Sequence, residues 1–277
     1  MILSFVSKII SESLLSLYPI FVKKIQLSIG LQLWSRFLSY VIISFLFIDW
    51  VFIGRTLFSI NGLSLSFVTI LHVFFSYRGF QILESGVAYV CFYTYPIMIL
   101  LLSGEPLNSK TYMYLFVVFL GIVFLYFDFD FERKKYQPNP KLLYGFIMIL
   151  LAAFTEAMIY FIVNKIQTTN NWNHLFISYF FGAIFFTIYY LFVGEKVDFR
   201  GETFTLSLFL NFGIGLFGYL LRFYSISRLP TKIYAALSYV GILMAFIYGV
   251  AFNREQITIL KIIGSFFIMI PVYFLSI

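Results

Sequence analysis

Ten apolar windows follow one another along the chain with only short linkers between them. They lie at roughly 1–22, 31–48, 62–80, 86–103, 111–127, 142–163, 174–193, 204–227, 233–252 and 257–277. A helix needs about 20 mostly apolar residues to cross a bilayer, with about 17 as the lower limit, and each window reaches that length. Little sequence is left over for a soluble domain. Composition agrees: 61% of residues are hydrophobic and 11% charged, with a mean hydropathy of +0.94, so the surface must face lipid. Lys8 and Glu12 interrupt the first window where a cleavable signal peptide would carry an unbroken apolar core, so this segment is expected to stay as a helix.

Several function classes fall away on residue counts. Cys91 is the one cysteine, which excludes an intrachain disulfide and any multi-cysteine metal cluster. The formal charge of +7 comes from basic residues placed mostly singly or in pairs near window ends, not along one face, so nucleic acid is not an expected partner. Gly213-Ile214-Gly215-Leu216-Phe217-Gly218 matches the spacing of a dinucleotide-binding loop, but no strand precedes it. Inside an apolar span these glycines serve close packing or a hinge. No cofactor and no metal site are expected.

The windows repeat. Arg222 to Ile242 reads as a weaker copy of Ser76 to Ile97, and setting Leu83 on Leu229 places Tyr93 on Tyr239. Tyr18 to Ile25 likewise superposes on Ile159 to Ile166 without a gap. With five spans per half, an odd number, the second half must cross the membrane in the opposite sense to the first. The expected fold is therefore all-α and integral to the membrane, with ten transmembrane helices as two inverted five-helix repeats, and its site near mid-membrane between the halves. The first repeat is placed at 1–127 and the second at 142–277. The charged segment 128–141, with Pro138 and Pro140, separates them. Trp50 and Trp172 lie at window ends, where an amphipathic indole favours the interface.

Small residues open the fourth window, which runs through Tyr93-Thr94-Tyr95-Pro96 to Gly104-Glu105; the second half has Arg228-Leu229-Pro230 and Glu255 in corresponding places. This ordered set resembles the drug/metabolite transporter superfamily, specifically its EamA-type members, over nearly the whole chain. Two departures are the short spacing from Pro96 to Glu105 and Ile242 where the family often has proline. The resemblance implies secondary transport and a cytoplasmic N-terminus. Lysines and arginines counted over the short loops instead favour both termini outside, so orientation is left open.

Charges within the windows are the sharpest clues, because each costs roughly 2.5–3.5 kcal/mol at a helix centre and must face protein or water. Glu12 and Glu156 lie in the opening helices of the two halves, within one turn of each other in the repeat alignment. A buried carboxylate can trade a proton for a substrate, and the resemblance extends to small multidrug transporters that use a first-helix glutamate in this way. Arg36 and Arg222 are the cationic counterparts, able either to grip an anionic group or to neutralise those glutamates. Tyr18, Trp34, Tyr93 and Tyr239 are candidate cavity aromatics, since an aromatic face with a hydroxyl suits organic cations and amino acids. Lys232 corresponds in region to a lysine that matters in the phosphate- and nucleotide-sugar-carrying branches. His72 is read as hydrogen-bonded core.

These features point to a secondary transporter, not an enzyme, moving a small polar metabolite through a plasma or inner membrane or an organelle membrane. An amino acid or related zwitterion or cation is the expected substrate, the proton is the candidate coupling ion, and the assembly is a monomer or homodimer. The alternatives are an exchanger of nucleotide-sugars or phosphorylated metabolites on the same fold, or an intramembrane enzyme, for which no catalytic constellation is evident.

Overall fold

A computed structural model describes residues 2–103, 108–132, 140–193, 202–226 and 228–276, leaving aside the side chains of 128–132, 193, 202, 204, 231, 232, 235, 236 and 276. Every regular element among the described residues is a helix. Fourteen α-helices and one π-helical stretch succeed one another: α1 (Ile2–Leu15), α2 (Tyr18–Lys24), α3 (Ile29–Ser44), α4 (Trp50–Thr56), α5 (Ile60–Ile82), α6 (Ser85–Phe92), α7 (Tyr95–Leu102), α8 (Ser109–Glu132), α9 (Pro140–Lys165), α10 (Asn171–Val193), α11 (Glu202–Phe209), the π-helical Leu210–Leu216, α12 (Phe217–Ile226), α13 (Thr231–Asn253) and α14 (Ile259–Ser276).

Prolines explain why ten windows give more than ten helices. Pro19 and Pro96 each sit in the first turn of a restarted helix, α2 and α7, where the missing N–H costs nothing. The first span is thus α1 with α2, and the fourth is α6 with α7. Pro271 lies inside α14 without dividing it. The glycine-containing run at 213–218 falls largely in the π-helical stretch, so the eighth span is α11, the π turn and α12.

Among the described residues seven segments are long and apolar enough to cross a membrane, and Leu237–Asn253 and Ile259–Leu275 are shorter apolar helices. The second expected span, α3, has 16 residues and stops at Ser44, short of the expected end at 48. The 49–59 linker is itself partly helical. Asp49 caps α4 by accepting from the N–H groups of Val51 and Phe52, and its own N–H donates to Asn173 Oδ1 at 2.9 Å. The segment expected to separate the halves opens as helix, since α8 runs on through Glu132, while 133–139 fall outside the described residues.

Packing shows the two-fold relation. α5 lies on α9 as α12 lies on α1; α1 meets α13 as α9 meets α6 and α7; α10 meets α5 as α3 meets α11 and the π turn. The pairs α3 with α10, α6 with α13 and α8 with α14 map onto themselves. Exchanging the halves therefore returns each of these pairs, as two inverted five-helix repeats require. We call the membrane face at which α1 begins the near face, and that at which α2 ends the far face.

Lipid offers apolar side chains as good a home as a neighbouring helix does, so helices here are held by close contact and hydrogen bonds. α8 and α14 cross at Gly121 and Gly264, where a Cβ on Gly121 would come within 2.8 Å of the Gly264 carbonyl oxygen. Only 22% of the α8 span is buried, against 67% of the span made by α6 and α7, which places the latter at the centre. Around that centre, α1, α3, α9 and α12 contribute the buried charges.

Candidate functional site

Five charged side chains meet in the middle of the bundle, each at most 7% exposed: Lys8 and Glu12 from α1, Arg36 from α3, Glu156 from α9 and Arg222 from α12. A charge taken out of lipid must find a partner, and four of these do. Lys8 and Glu12 stand one helical turn apart on α1 and pair directly. Glu156 pairs with Arg222 across the α9–α12 gap. Arg222 Nε also donates to the Tyr234 hydroxyl at 3.2 Å.

Arg36 is different. Among the described residues it is in no ion pair. One terminal nitrogen donates to the Tyr179 hydroxyl at 2.8 Å, and Nε is buried without a hydrogen-bond partner. Five tyrosine rings surround the guanidinium, with centroids 4.8 Å (Tyr18), 4.9 Å (Tyr219), 5.5 Å (Tyr40 and Tyr77) and 5.6 Å (Tyr179) from its central carbon. Ring quadrupoles stabilise the cation without neutralising it. With three basic and two acidic side chains, this core carries one uncompensated positive charge, and that charge is on Arg36.

The cage is fixed by its own hydrogen bonds. Tyr18 and Tyr40 share a contact of 2.7 Å between their hydroxyls, and Tyr18 donates to Asn211 Oδ1 at 3.3 Å. Asn211 Nδ2 donates to Ser35 Oγ at 2.9 Å, which lies 2.6 Å from Ser207 Oγ. Asn211 belongs to the π-helical turn. In the same turn Gly215 leaves room for the two tyrosine hydroxyls, which a Cβ there would meet. Of the glycines read as packing elements, Gly215 thus seats Tyr18 and Tyr40, while Gly218 gives room to Leu15 on α1.

Beside the Glu156–Arg222 pair lies His72 on α5. Its Nδ1 is 3.1 Å from the Ala152 carbonyl oxygen, which can only accept, so Nδ1 carries the hydrogen. In a neutral ring Nε2 is then an acceptor, and it faces Glu156 Oε2 at 3.5 Å with Ser76 Oγ equally far. Two acceptors facing each other make a place for a proton.

Two small cavities occupy this centre. One of about 30 Å³ is lined by His72, Tyr95, Glu156, Tyr179, Tyr219, Arg222 and Tyr234 among others. The second, of about 20 Å³, has Tyr18, Arg36, His72, Tyr93, Tyr219 and Arg222 in its wall. His72, Tyr219 and Arg222 border both, and each cavity has room for about one water. Of the residues singled out from sequence, Tyr18, Arg36, Tyr93, Glu156 and Arg222 therefore come together. Glu12 lies just beside them: a Cβ on Gly241 would be 2.7 Å from Glu12 Oε2 and 2.8 Å from the Tyr93 hydroxyl. Its neutralising partner is Lys8, not Arg36 or Arg222 as expected, because Lys8 lies on the same helix face one turn away.

Two aromatic candidates point elsewhere. Trp34 donates to Thr187 Oγ1 at 3.0 Å and packs its ring 5.5 Å from Tyr190, so it serves the α3–α10 contact. Tyr239 donates to the Met269 carbonyl at 2.8 Å, toward α14, although its repeat counterpart Tyr93 lines the centre. The Lys232 side chain lies outside the described residues. Sequence reading passed over Lys8, which the i, i+4 spacing to Glu12 signals. It also passed over Tyr40, Tyr77, Tyr179, Tyr219 and Tyr234, which nothing marks among 21 tyrosines. His72 is hydrogen-bonded core as expected, and it also faces Glu156.

At the far face the halves are tied by ion pairs. Glu255, in the turn between α13 and α14, accepts from Lys23 Nζ at 2.8 Å, from the Ser85 N–H at 2.8 Å and from Ser85 Oγ at 2.7 Å. Its carboxylate sits at the amino end of α6, where the helix dipole favours an anion. Lys261 pairs with Glu84 at 2.9 Å alongside.

Residues 143–277 match the EamA-like transporter family. The second half of the chain is EamA-like. The matched residues are those of its second repeat, and the family belongs to the drug/metabolite transporter superfamily. This match suggests a membrane transporter of drug/metabolite type rather than an enzyme, and together with the long apolar helices it supports a multi-pass integral membrane protein. A solved crystal structure of a protein superposes with a TM-score of 0.58, covering 98% of this chain and 94% of that one at 14% identity. At that identity the likeness speaks for the fold alone. No curated protein matches this chain.

Proposed function

We propose that this chain is a secondary transporter, working by alternating access, for a small metabolite that presents a carboxylate, with an amino acid or related zwitterion as the best-fitting class. The single observation that carries this reading is Arg36, a buried guanidinium that has no carboxylate partner among the described residues and an unpartnered Nε. A planar guanidinium is suited to fork onto a carboxylate. The five tyrosine faces and Glu156 would receive the ammonium end of a zwitterion, whereas a simple organic cation would add to an existing positive charge. The proton site between His72 and Glu156 supports coupling to protons: protonating Glu156 releases Arg222, and a substrate anion can take its place.

The two central cavities hold only water-sized guests, and the Lys23–Glu255–Ser85 contacts close the far face. This supports reading the conformation as an occluded one, in which movement of the halves must open the site. A second reading rests on Arg36 and Arg222 bordering the same 20 Å³ cavity, which suits a phosphorylated metabolite.

The test is thermal stabilisation of the detergent-purified protein by amino acids, organic cations, nucleosides, sugar phosphates and nucleotide-sugars, followed by uptake of the labelled hit into liposomes. Amino acids are expected to stabilise the wild type and to lose their effect in Arg36→Gln. Stabilisation by organic cations that persists in Arg36→Gln would overturn the proposal, and stabilisation by sugar phosphates alone would select the second reading.

A further inference from the structure

Away from the central site, a groove of about 690 Å³ opens between α3, α5 and α10. Its walls are graded. At the end nearest the far face stand Ser28, Arg78 and Gln81; deeper in, the lining from α5 is Ile70, Leu71 and Phe74, opposite Phe185 of α10. From Gln81 back to Ile70 is eleven residues of helix, about 16 Å at 1.5 Å per residue. Half the hydrocarbon thickness of a bilayer is about 15 Å. The groove is therefore one leaflet deep, polar at the headgroup level and apolar to the midplane.

It also faces lipid. Phe185 and Tyr189, on its α10 side, are 56% and 46% exposed, as lipid-facing side chains are in this bundle. Arg78 is half-buried at the polar end. Among the described residues it is in no ion pair; its guanidinium lies 5.6 Å from the Phe74 ring, and its Nε is buried without a hydrogen-bond partner. An arginine in this position costs free energy that only an anion can recover, and basic pockets between transmembrane helices are where anionic lipid headgroups bind.

We propose that this groove is a binding site for one anionic phospholipid of the far leaflet, with the headgroup phosphate on Arg78 and an acyl chain along Leu71, Phe74 and Phe185. The site is separate from the transport site and does not depend on how that site is read. It is connected to it through the backbone: Leu33, in the groove wall, is one turn from Arg36 on α3, and Leu71 precedes His72 on α5. A bound lipid would hold these two helices at a fixed spacing from α10.

The experiment is native mass spectrometry of the detergent-purified full chain, titrated with phosphatidylglycerol or with phosphatidylcholine of identical acyl chains. Near a membrane surface each arginine contributes about 1 kcal/mol toward an anionic lipid, so a single phosphatidylglycerol adduct is expected at about fivefold lower concentration than the phosphatidylcholine adduct. The preference should vanish in Arg78→Gln, survive in Arg78→Lys and survive in Arg36→Gln. Leu71→Trp, which fills the apolar part, should weaken both adducts. Equal adducts of the two lipids in the wild type, or a preference that survives Arg78→Gln, would overturn the site. Inorganic phosphate that displaces phosphatidylglycerol at equal concentration would also overturn it, by showing that the acyl chain contributes nothing.

Discussion

Lys23 at the end of α2 and Glu255 in the α13–α14 turn meet at 2.8 Å, and this contact joins the first span of one half to the ninth and tenth of the other. Burial pushes the Glu255 carboxyl up. The Lys23 ammonium and the Ser85 N–H and O–H outweigh it, so the group titrates below its ordinary value. A lowered folded value means that the stabilisation is complete above the unfolded carboxylate value of roughly 4.3 and is lost as pH falls through the folded value. The far face is thus expected to loosen only in acid, below about pH 4. Amide exchange at the start of α6 should rise there in the wild type. In Glu255→Gln it should already be raised at pH 7 and show no acid step. An unchanged exchange rate in that variant would remove the contact from the closure.

Substitution of Arg36 should separate stability from binding. Replacing an unpaired buried guanidinium by an apolar side chain of similar length relieves a desolvation cost, so Arg36→Met is expected to match or exceed the wild type in melting temperature without ligand. Loss of a buried charged partner should cost the substrate carboxylate at least about 2 kcal/mol, roughly thirtyfold in affinity. Melting curves with and without the stabilising amino acid read both quantities. A variant that is much less stable yet binds normally would show that the tyrosine cage serves the fold.

The Glu156–Arg222 pair should behave in the opposite way. Glu156→Gln leaves Arg222 buried without its acid, and breaking such a pair from one side costs about 3–5 kcal/mol. The double variant Glu156→Gln with Arg222→Gln should recover part of that loss, because neither charge is then stranded. Chemical denaturation of the four proteins closes the cycle, and additive losses would mean that the two side chains are not coupled.

Close crossing of α8 and α14 rests on two glycines facing each other's backbone. Gly121→Val puts a branched side chain where the Gly264 carbonyl and Ile268 already stand, and the expected loss is about 1–3 kcal/mol. The centre of the bundle is far from this seam, so ligand stabilisation should remain while the melting temperature falls. Unaltered stability would mean that the two helices separate at no cost.

Apolar length fixes the spans before any coordinates are known, since no soluble packing can hide so many phenylalanines and leucines. The repeat was readable for the same reason: Tyr18 to Ile25 and Ile159 to Ile166 keep one pattern because they occupy one position in two copies. The breaks at Ser16–Leu17 and Tyr93–Thr94 are signalled by the prolines that follow. The short α4 is not, because seven residues carry too little periodicity to distinguish a helix from a loop. In the centre, partners within one helix are legible and partners between helices are not. Lys8 could be assigned to Glu12 from spacing alone, whereas the gathering of five tyrosines around Arg36 depends on how α2, α3, α5, α10 and α12 cross. Tyr239 illustrates the limit of the repeat: it occupies the place of Tyr93, yet its hydroxyl is taken by Met269 on α14.

The two halves differ in where they can bend. The first and fourth spans are each jointed, at Ser16–Leu17 and at Tyr93–Thr94, while their counterparts α9 and α13 run unbroken from Pro140 to Lys165 and from Thr231 to Asn253. On the proposed cycle, the first half flexes at the hinges of its first and fourth spans and the second half at the π turn of its eighth, whose counterpart α5 is unbroken. The conformations open to the near and far faces are then not mirror images in energy. The chain itself carries a preferred resting direction, whatever gradient is placed across the membrane.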